Sequence, residues 1–453
     1  MARYMARQAT AAARPRDDAF IPFLTAYDPS DLPGTSVDPL GFDRGYNFLG
    51  DQILPGLTNV ARQPRYFGLL CAGVSLAPAP SGRSAVDRDA REECILRLER
   101  LWALANVLAA EGEPPLGVRG VRYAQAERNA LARDGRRSTG SRFRLLGRQV
   151  QYGVLGIYGN VAAGMRLVDR ASLTLSADYG EALGAAFLDE TGTPYTVREA
   201  ARDPDREVGI DALRSWGTRA GIAVPASEGE ARLLLQALEL DETRRRMARA
   251  LGRWRAKNGE SELARLARIR ERLTAADVDL AQAIAAIVAY EACYRWALLG
   301  FERVLWLCEA AGAVELRDLA ADDVLASVGS GLVGAALELE SCISAATAPG
   351  FQTGLVRMQD VRAFLAAASR SGGSAGEIAL AVLSRHADVQ HGKFDRGRRK
   401  SPWLEVQGTC VSLTLARASE VRGEPRSPDD VRPHEYRTAS ADALLFAGDE
   451  VTQ

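Results

Sequence analysis

Apolar residues recur at helical spacing over Asp87 to Ala110, where Ile95, Leu98, Leu101, Trp102, Ala105 and Leu108 share one face and Gly112 follows the last turn. The pattern predicts a long amphipathic helix. Tyr152 to Val168 predicts another, Leu173 and Leu175 alternate as a short strand over Ser172 to Ser176, and Tyr179, Leu183 and Phe187 return to helical spacing. From Leu213 to Arg370 the chain reads as almost wholly helical. Within it, Arg232 to Arg272 is dense in charge and is expected to face solvent. Leu280 to Cys308 carries Ile284, Ile287, Tyr294, Trp296, Leu299, Phe301 and Leu305 on more than one face, which predicts a buried central helix.

Beyond Ser371-Gly372-Gly373, Ser374 and Glu377 have the spacing of a capping box, predicting a helix to about Arg385. Trp403 to Val406, a Gln407-Gly408 turn and Cys410 to Leu415 then read as a hairpin with Val411, Leu413 and Leu415 on one face. Phe20 to Gly82 is different: Pro22, Pro29, Pro33, Pro39 and several glycines argue against long regular structure, while Phe42, Phe48, Ile53 and Leu54 call for burial, so the segment is expected to wrap a core. No repeat of fixed period stands out. The expected fold is mainly α, a helical scaffold with two small winged-helix-like α+β modules. Its expected division is an N-terminal arm, wrapping segment and helix (1–112), a first winged-helix-like module (113–200), a helical domain (201–370) and a second such module with a basic loop (371–453).

Charge changes this picture only locally. Over 453 residues the net charge is −1, which excludes a uniformly basic nucleic-acid binder and confines any polyanion site to one face. The chain has three lysines, Lys257, Lys393 and Lys400, against 54 arginines, so arginine-rich stretches reflect compositional bias as much as chemistry. The six cysteines form no CxxC pair, which suits a reducing compartment, and a cytoplasmic protein is expected. The first sixteen residues hold Arg3, Arg7, Arg14 and Arg16 without an acid and read as a docking arm. The longest apolar stretch is broken by Glu291, Arg295, Glu302 and Arg303, so no membrane span is expected.

Five cations and one acid, Lys393, Arg396, Arg398, Arg399 and Lys400 with Asp395, fall within eight residues beside the predicted hairpin. Such a loop neutralises phosphates, and Phe394 and Trp403 add rings that stack on bases or anchor the loop. Two of the three lysines lie there, so arginine bias explains it least. Arg119 to Arg148 is the second positive block, nine arginines against Glu127 and Asp134, with Arg136, Arg137, Arg142 and Arg144 around a Gly-Ser loop as its candidate contacts. Arg244 to Arg272 interleaves Glu260, Glu262 and Glu271 and reads as an exposed helix face.

Catalytic signals are thin. Gly329, Gly331 and Gly334 spell GxGxxG, but after a helical rather than a strand pattern, which favours helix packing over a pyrophosphate cradle. His386 and His391 are the one close histidine pair and lack the further ligands of a zinc site. His391-Gly392-Lys393 begins like the HxK of phospholipase D-type phosphodiesterases, yet Arg398 stands where an acid is needed. No catalytic residue, cofactor or metal is assigned.

Asp38-Pro39-Leu40-Gly41, Leu54-Pro55-Gly56, Arg62 and Arg65-Tyr66-Phe67 resemble a signature of uncharacterised bacterial proteins often encoded near phage-defence genes, a Pro-Gly turn followed by Arg-x-Arg-Tyr-Phe. Here Gln63 and Pro64 precede Arg65. An arginine beside an aromatic pair that leads into Leu69-Leu70-Cys71 reads as a structural group. The resemblance and the basic stretches together lead to the expectation of a DNA-binding accessory or recognition subunit of an anti-phage system, with protein partners encoded nearby. A protein–protein adaptor docking an enzymatic partner is the alternative, and a divergent phosphodiesterase or nuclease using His391 stands third.

Overall fold

The long helix appears where the periodicity places it, at Ala85–Ala109, with Cys94, Ile95, Leu98, Leu101 and Trp102 fully buried. It lies against helix Ile210–Ala220 so closely that a Cβ at Gly217 would stand 2.1 Å from the Ala105 carbonyl oxygen. The Trp102 indole N–H donates to Ala220 O at 2.8 Å, which satisfies the polar edge of a buried ring. In this computed structural model, which describes residues 38–79, 85–370, 373–395, 398–414 and 423–449, 64% of the chain is helix and 6% strand. The protein is mainly α. The N-terminal arm, Arg396 and Leu415 lie outside the described residues.

The predicted central helix runs for 34 residues, Val278–Ala311, and packs against Asp323–Ala345 and Ala375–His391. Two helices, Ala275–Ala311 and Asp323–Ala345, are long and apolar enough to cross a membrane by length and composition. The GxGxxG glycines sit inside Asp323–Ala345, not in a loop. A Cβ at Gly329 would meet Gly373 O at 2.0 Å and one at Gly331 the Trp296 ring at 2.2 Å, so both serve close packing.

Strands are short. Leu404–Gln407 and Cys410–Leu413 form the predicted hairpin, with Gly408 at φ +63° in its turn. A third strand, Ala313–Glu315, joins it antiparallel, so Cys410–Leu413 lies in the middle of the sheet. Three residues carry too little alternation to show in the sequence. Two-residue ribbons pair Ser138–Thr139 with Val208–Gly209, Val168–Asp169 with Thr174–Leu175, and Phe394–Asp395 with Arg398–Arg399.

Three local expectations change. Helices Asp43–Asp51 and Arg65–Leu76 form within the Pro- and Gly-rich segment, the second with Pro64 at its cap position, where a missing N–H costs nothing. The helix after Ser374 continues to His391, and the Ser374 hydroxyl donates to Glu377 Oε2 at 2.8 Å rather than forming the reciprocal backbone cap. The charged Arg232 to Arg272 stretch buries Arg244, which donates to the carbonyls of Leu238, Pro55 and Gly164, and Arg265, which pairs with Asp442. These guanidiniums act as multi-donor clamps between segments.

Both ends of the described chain fasten onto the central helix and its neighbours. His386, fully buried, bridges Pro39 O at 3.0 Å through Nδ1 and accepts from the Trp403 backbone N–H at 2.9 Å through Nε2. It is thereby the neutral tautomer protonated on Nδ1, and burial pushes its pKa down to about 4. Glu291 on the central helix accepts from His434 and Tyr436, and Arg437 reaches Asp51.

Candidate nucleic-acid interface

The signature residues at 54–67 belong to the core. Arg65 is buried in an ion pair with Glu230 and also donates to Val224 O and Pro225 O. Tyr66 stacks on Tyr158 at 4.6 Å, meets Trp102 edge-on and accepts from the Arg119 backbone N–H at 2.7 Å. Arg65 Nε, Nη1 and Nη2 all donate within the fold, as the structural reading anticipated.

A concentration of cations around a recess lies in the Arg119 to Arg148 block. Arg142, Arg144 and Arg148, joined by Arg100 from the long helix and Arg170 from beyond the next one, line a cleft of about 770 Å³ in which Glu93 is the only acid among the described residues. Its floor is apolar, with Leu96, Leu145 and Leu146, and Phe143 half-buried among them. Two of the five arginines are committed: Arg100 donates to Gln149 Oε1 at 2.8 Å and Ser141 O at 3.3 Å, and Arg170 to Leu155 O at 2.8 Å. The other three point outward. Arg142 pairs with Asp205 across exposed side chains, and Arg144 lies over the Tyr123 ring at 5.6 Å. Neither Arg144 nor Arg148 forms an ion pair among the described residues. Tyr123 and Tyr152 expose about two-fifths of their surface nearby, at 43% and 44%. Arginines interleaved with exposed rings suit a phosphate backbone with bases to stack.

Beneath the floor lies a buried carboxylate. Gln149 lines the cleft, takes the Arg100 bond on its oxygen and donates from its nitrogen to Glu99 Oε2 at 2.7 Å. Glu99 Oε1 accepts from Val154 N at 2.7 Å, capping the next helix. Burial raises the Glu99 pKa to about 7, against the lowering effect of those two hydrogen bonds. A folded pKa above the unfolded one means that this stabilisation is complete below about pH 4.5 and is lost as pH rises through about 7, a change of about 3 kcal/mol. His386 works in the opposite direction, its contribution fading as pH falls from about 6.5 towards about 4. Glu99→Gln is therefore expected to remove only the first slope, so that the stability difference between variant and parent grows with pH across that window in chemical-denaturation curves. A pH-independent difference would show Glu99 to be solvated.

Arg136 and Arg137 do not line this cleft but a second one of about 520 Å³. The C-terminal basic segment is laid out otherwise. Lys393 donates its ammonium to Asp38 O, Lys400 is half-buried with its backbone N–H on Lys393 O, and Trp403 is buried against Phe301 and His386. Arg398 and Arg399 are exposed on a two-residue ribbon, with Phe394 47% exposed beside them. None of these side chains lines either arginine cleft.

The structure thus brings Arg142, Arg144 and Arg148 of one positive block together with Arg100 and Arg170. Arg100 and Arg170 are distant in sequence, and only Arg100's place on the polar face of its helix hints at exposure. Among the described residues no group of His, Cys, Asp and Glu has the makings of a metal site. No protein-family model, curated protein or solved structure matches the chain.

Proposed function

We propose that the protein binds nucleic acid through the arginine cleft and serves as an accessory or recognition subunit of a bacterial anti-phage system. One observation carries the binding: five arginines and one glutamate around a recess, with three of the guanidiniums facing out, in a chain whose net charge is −1. Local positive potential of this kind does not come from overall charge. The defence setting rests on the resemblance of residues 38–67 alone.

A winged-helix-like reading of the C-terminal unit draws support from strand order. Helix, strand Ala313–Glu315, helix, then a later helix and a hairpin whose second strand returns to the middle follow that topology, with 323–370 inserted. Its last helix, however, exposes Glu377, Ser384 and Asp388, a face poorly charged for phosphates, so the unit is assigned to scaffolding and the cleft to contact. Titration of a labelled single-stranded DNA tests the proposal. Three phosphate contacts predict a slope of log affinity on log salt of about −2, and absence of binding at low salt removes the proposal.

A further inference from the structure

We infer that a single nucleic-acid strand entering the arginine cleft continues into the second cleft, so that the two form one track; this rests on the reading of the first cleft given above. The second cleft is lined by Arg128, Arg136, Arg137 and Arg214, with Asp211 as its only acid among the described residues. One stretch of chain serves both. Arg136 and Arg137 reach the second cleft, Arg142, Arg144 and Arg148 the first, and Ser138–Thr139 between them is fixed by pairing to Val208–Gly209 and by the bond from Ile210 N to Arg137 O at 3.0 Å. From Arg137 to Arg142 is five residues, at most about 17 Å of extended backbone, so the cations follow one another without a wide break.

Carboxylates face this row, and their geometry decides whether phosphate can replace them. Asp205 pairs with Arg142, Glu207 lies 3.9 Å from Arg136, and Asp211 is 2.8 Å from Arg214. All six side chains are 45% or more exposed. Exposed pairs contribute little, so exchanging a carboxylate for a phosphate costs little. Arg137 has no carboxylate partner among the described residues. A single strand fits better than a duplex because Tyr123, packed with Arg144, and the exposed Tyr152 offer rings that stack only on unpaired bases.

The experiment uses the full chain and labelled oligothymidylates of about four and about twelve nucleotides, a range that spans single-strand site sizes. The longer one is expected to bind the parent protein at least tenfold more tightly. Arg136→Ala with Arg137→Ala is expected to weaken the longer oligonucleotide about 20-fold at about 0.1 M salt and to reduce its salt slope by about 1.4, leaving the shorter one unchanged. Lysine at both positions restores most of the loss. An alanine variant that melts like the parent but weakens both lengths equally, or neither, overturns the single track while leaving the first cleft intact. A parent protein that binds neither length at low salt removes the first-cleft reading and this inference with it.

Discussion

Glu291→Ala is expected to lower the stability of the fold by about 3–5 kcal/mol, the cost of breaking a buried charge pair by removing one partner. The carboxylate is 1% exposed on the central helix. It accepts from His434 N at 2.8 Å, from His434 Nδ1 at 2.9 Å and from the Tyr436 hydroxyl at 3.0 Å. His434 is itself held flat against Tyr46, with ring centroids 4.6 Å apart, and its Nε2 stands 3.9 Å from Asp43. Alanine would leave two donors and an imidazole largely buried without their acceptor. Burial opposes the His434 proton, yet Glu291, followed by Asp43 and Asp38, outweighs it and holds the pKa above the usual histidine value. A raised folded pKa gives stability that is complete below about pH 6.5 and is lost as pH rises through the folded value. Denaturation of parent and variant by urea at several pH values checks both statements. A loss below about 1 kcal/mol would mean that solvent reaches the network and that the C-terminal segment is not pinned through it.

This network shows where sequence reading stops. The central helix was legible because apolar residues on all its faces demand burial, and Glu291 registered only as an interruption of that run. Its partners lie about 140 positions away in a segment without periodicity, and nothing local announces them. Arg65 was legible as structural because it adjoins an aromatic pair leading into an apolar run. Arg244 and Arg265 were misjudged as solvent-facing because a mutual clamp of guanidinium and carbonyls has no sequence period. The same limitation affects the cleft. Density of charge near Lys393 drew attention to the C-terminal segment, but what makes a recess cationic is the convergence of Arg100, Arg142, Arg144, Arg148 and Arg170 from separate helices and loops. A short, dense run such as 393–400 is conspicuous in one dimension even where its side chains, like Lys393 on Asp38, are tied to the fold.

Replacing Arg142, Arg144 and Arg148 together by alanine is expected to reduce single-stranded DNA affinity about a hundredfold at about 0.1 M salt. Each lost phosphate contact forfeits counterion release equal to about 0.7 in the salt slope, which at that salt is about 0.7 in log affinity, and three such contacts sum to about two orders of magnitude. Stability should change little, because Arg142 offers only an exposed ion pair and Arg144 and Arg148 none among the described residues. The most direct measurement is a titration of one labelled oligonucleotide of about four nucleotides, confined to the first cleft, with this triple variant beside a second one, Arg398→Ala with Arg399→Ala and Lys400→Ala. The cleft account predicts the hundredfold loss and a near-flat salt dependence in the first, and affinity within about threefold of the parent in the second. A first variant that binds like the parent, beside a second that has lost binding, would contradict it.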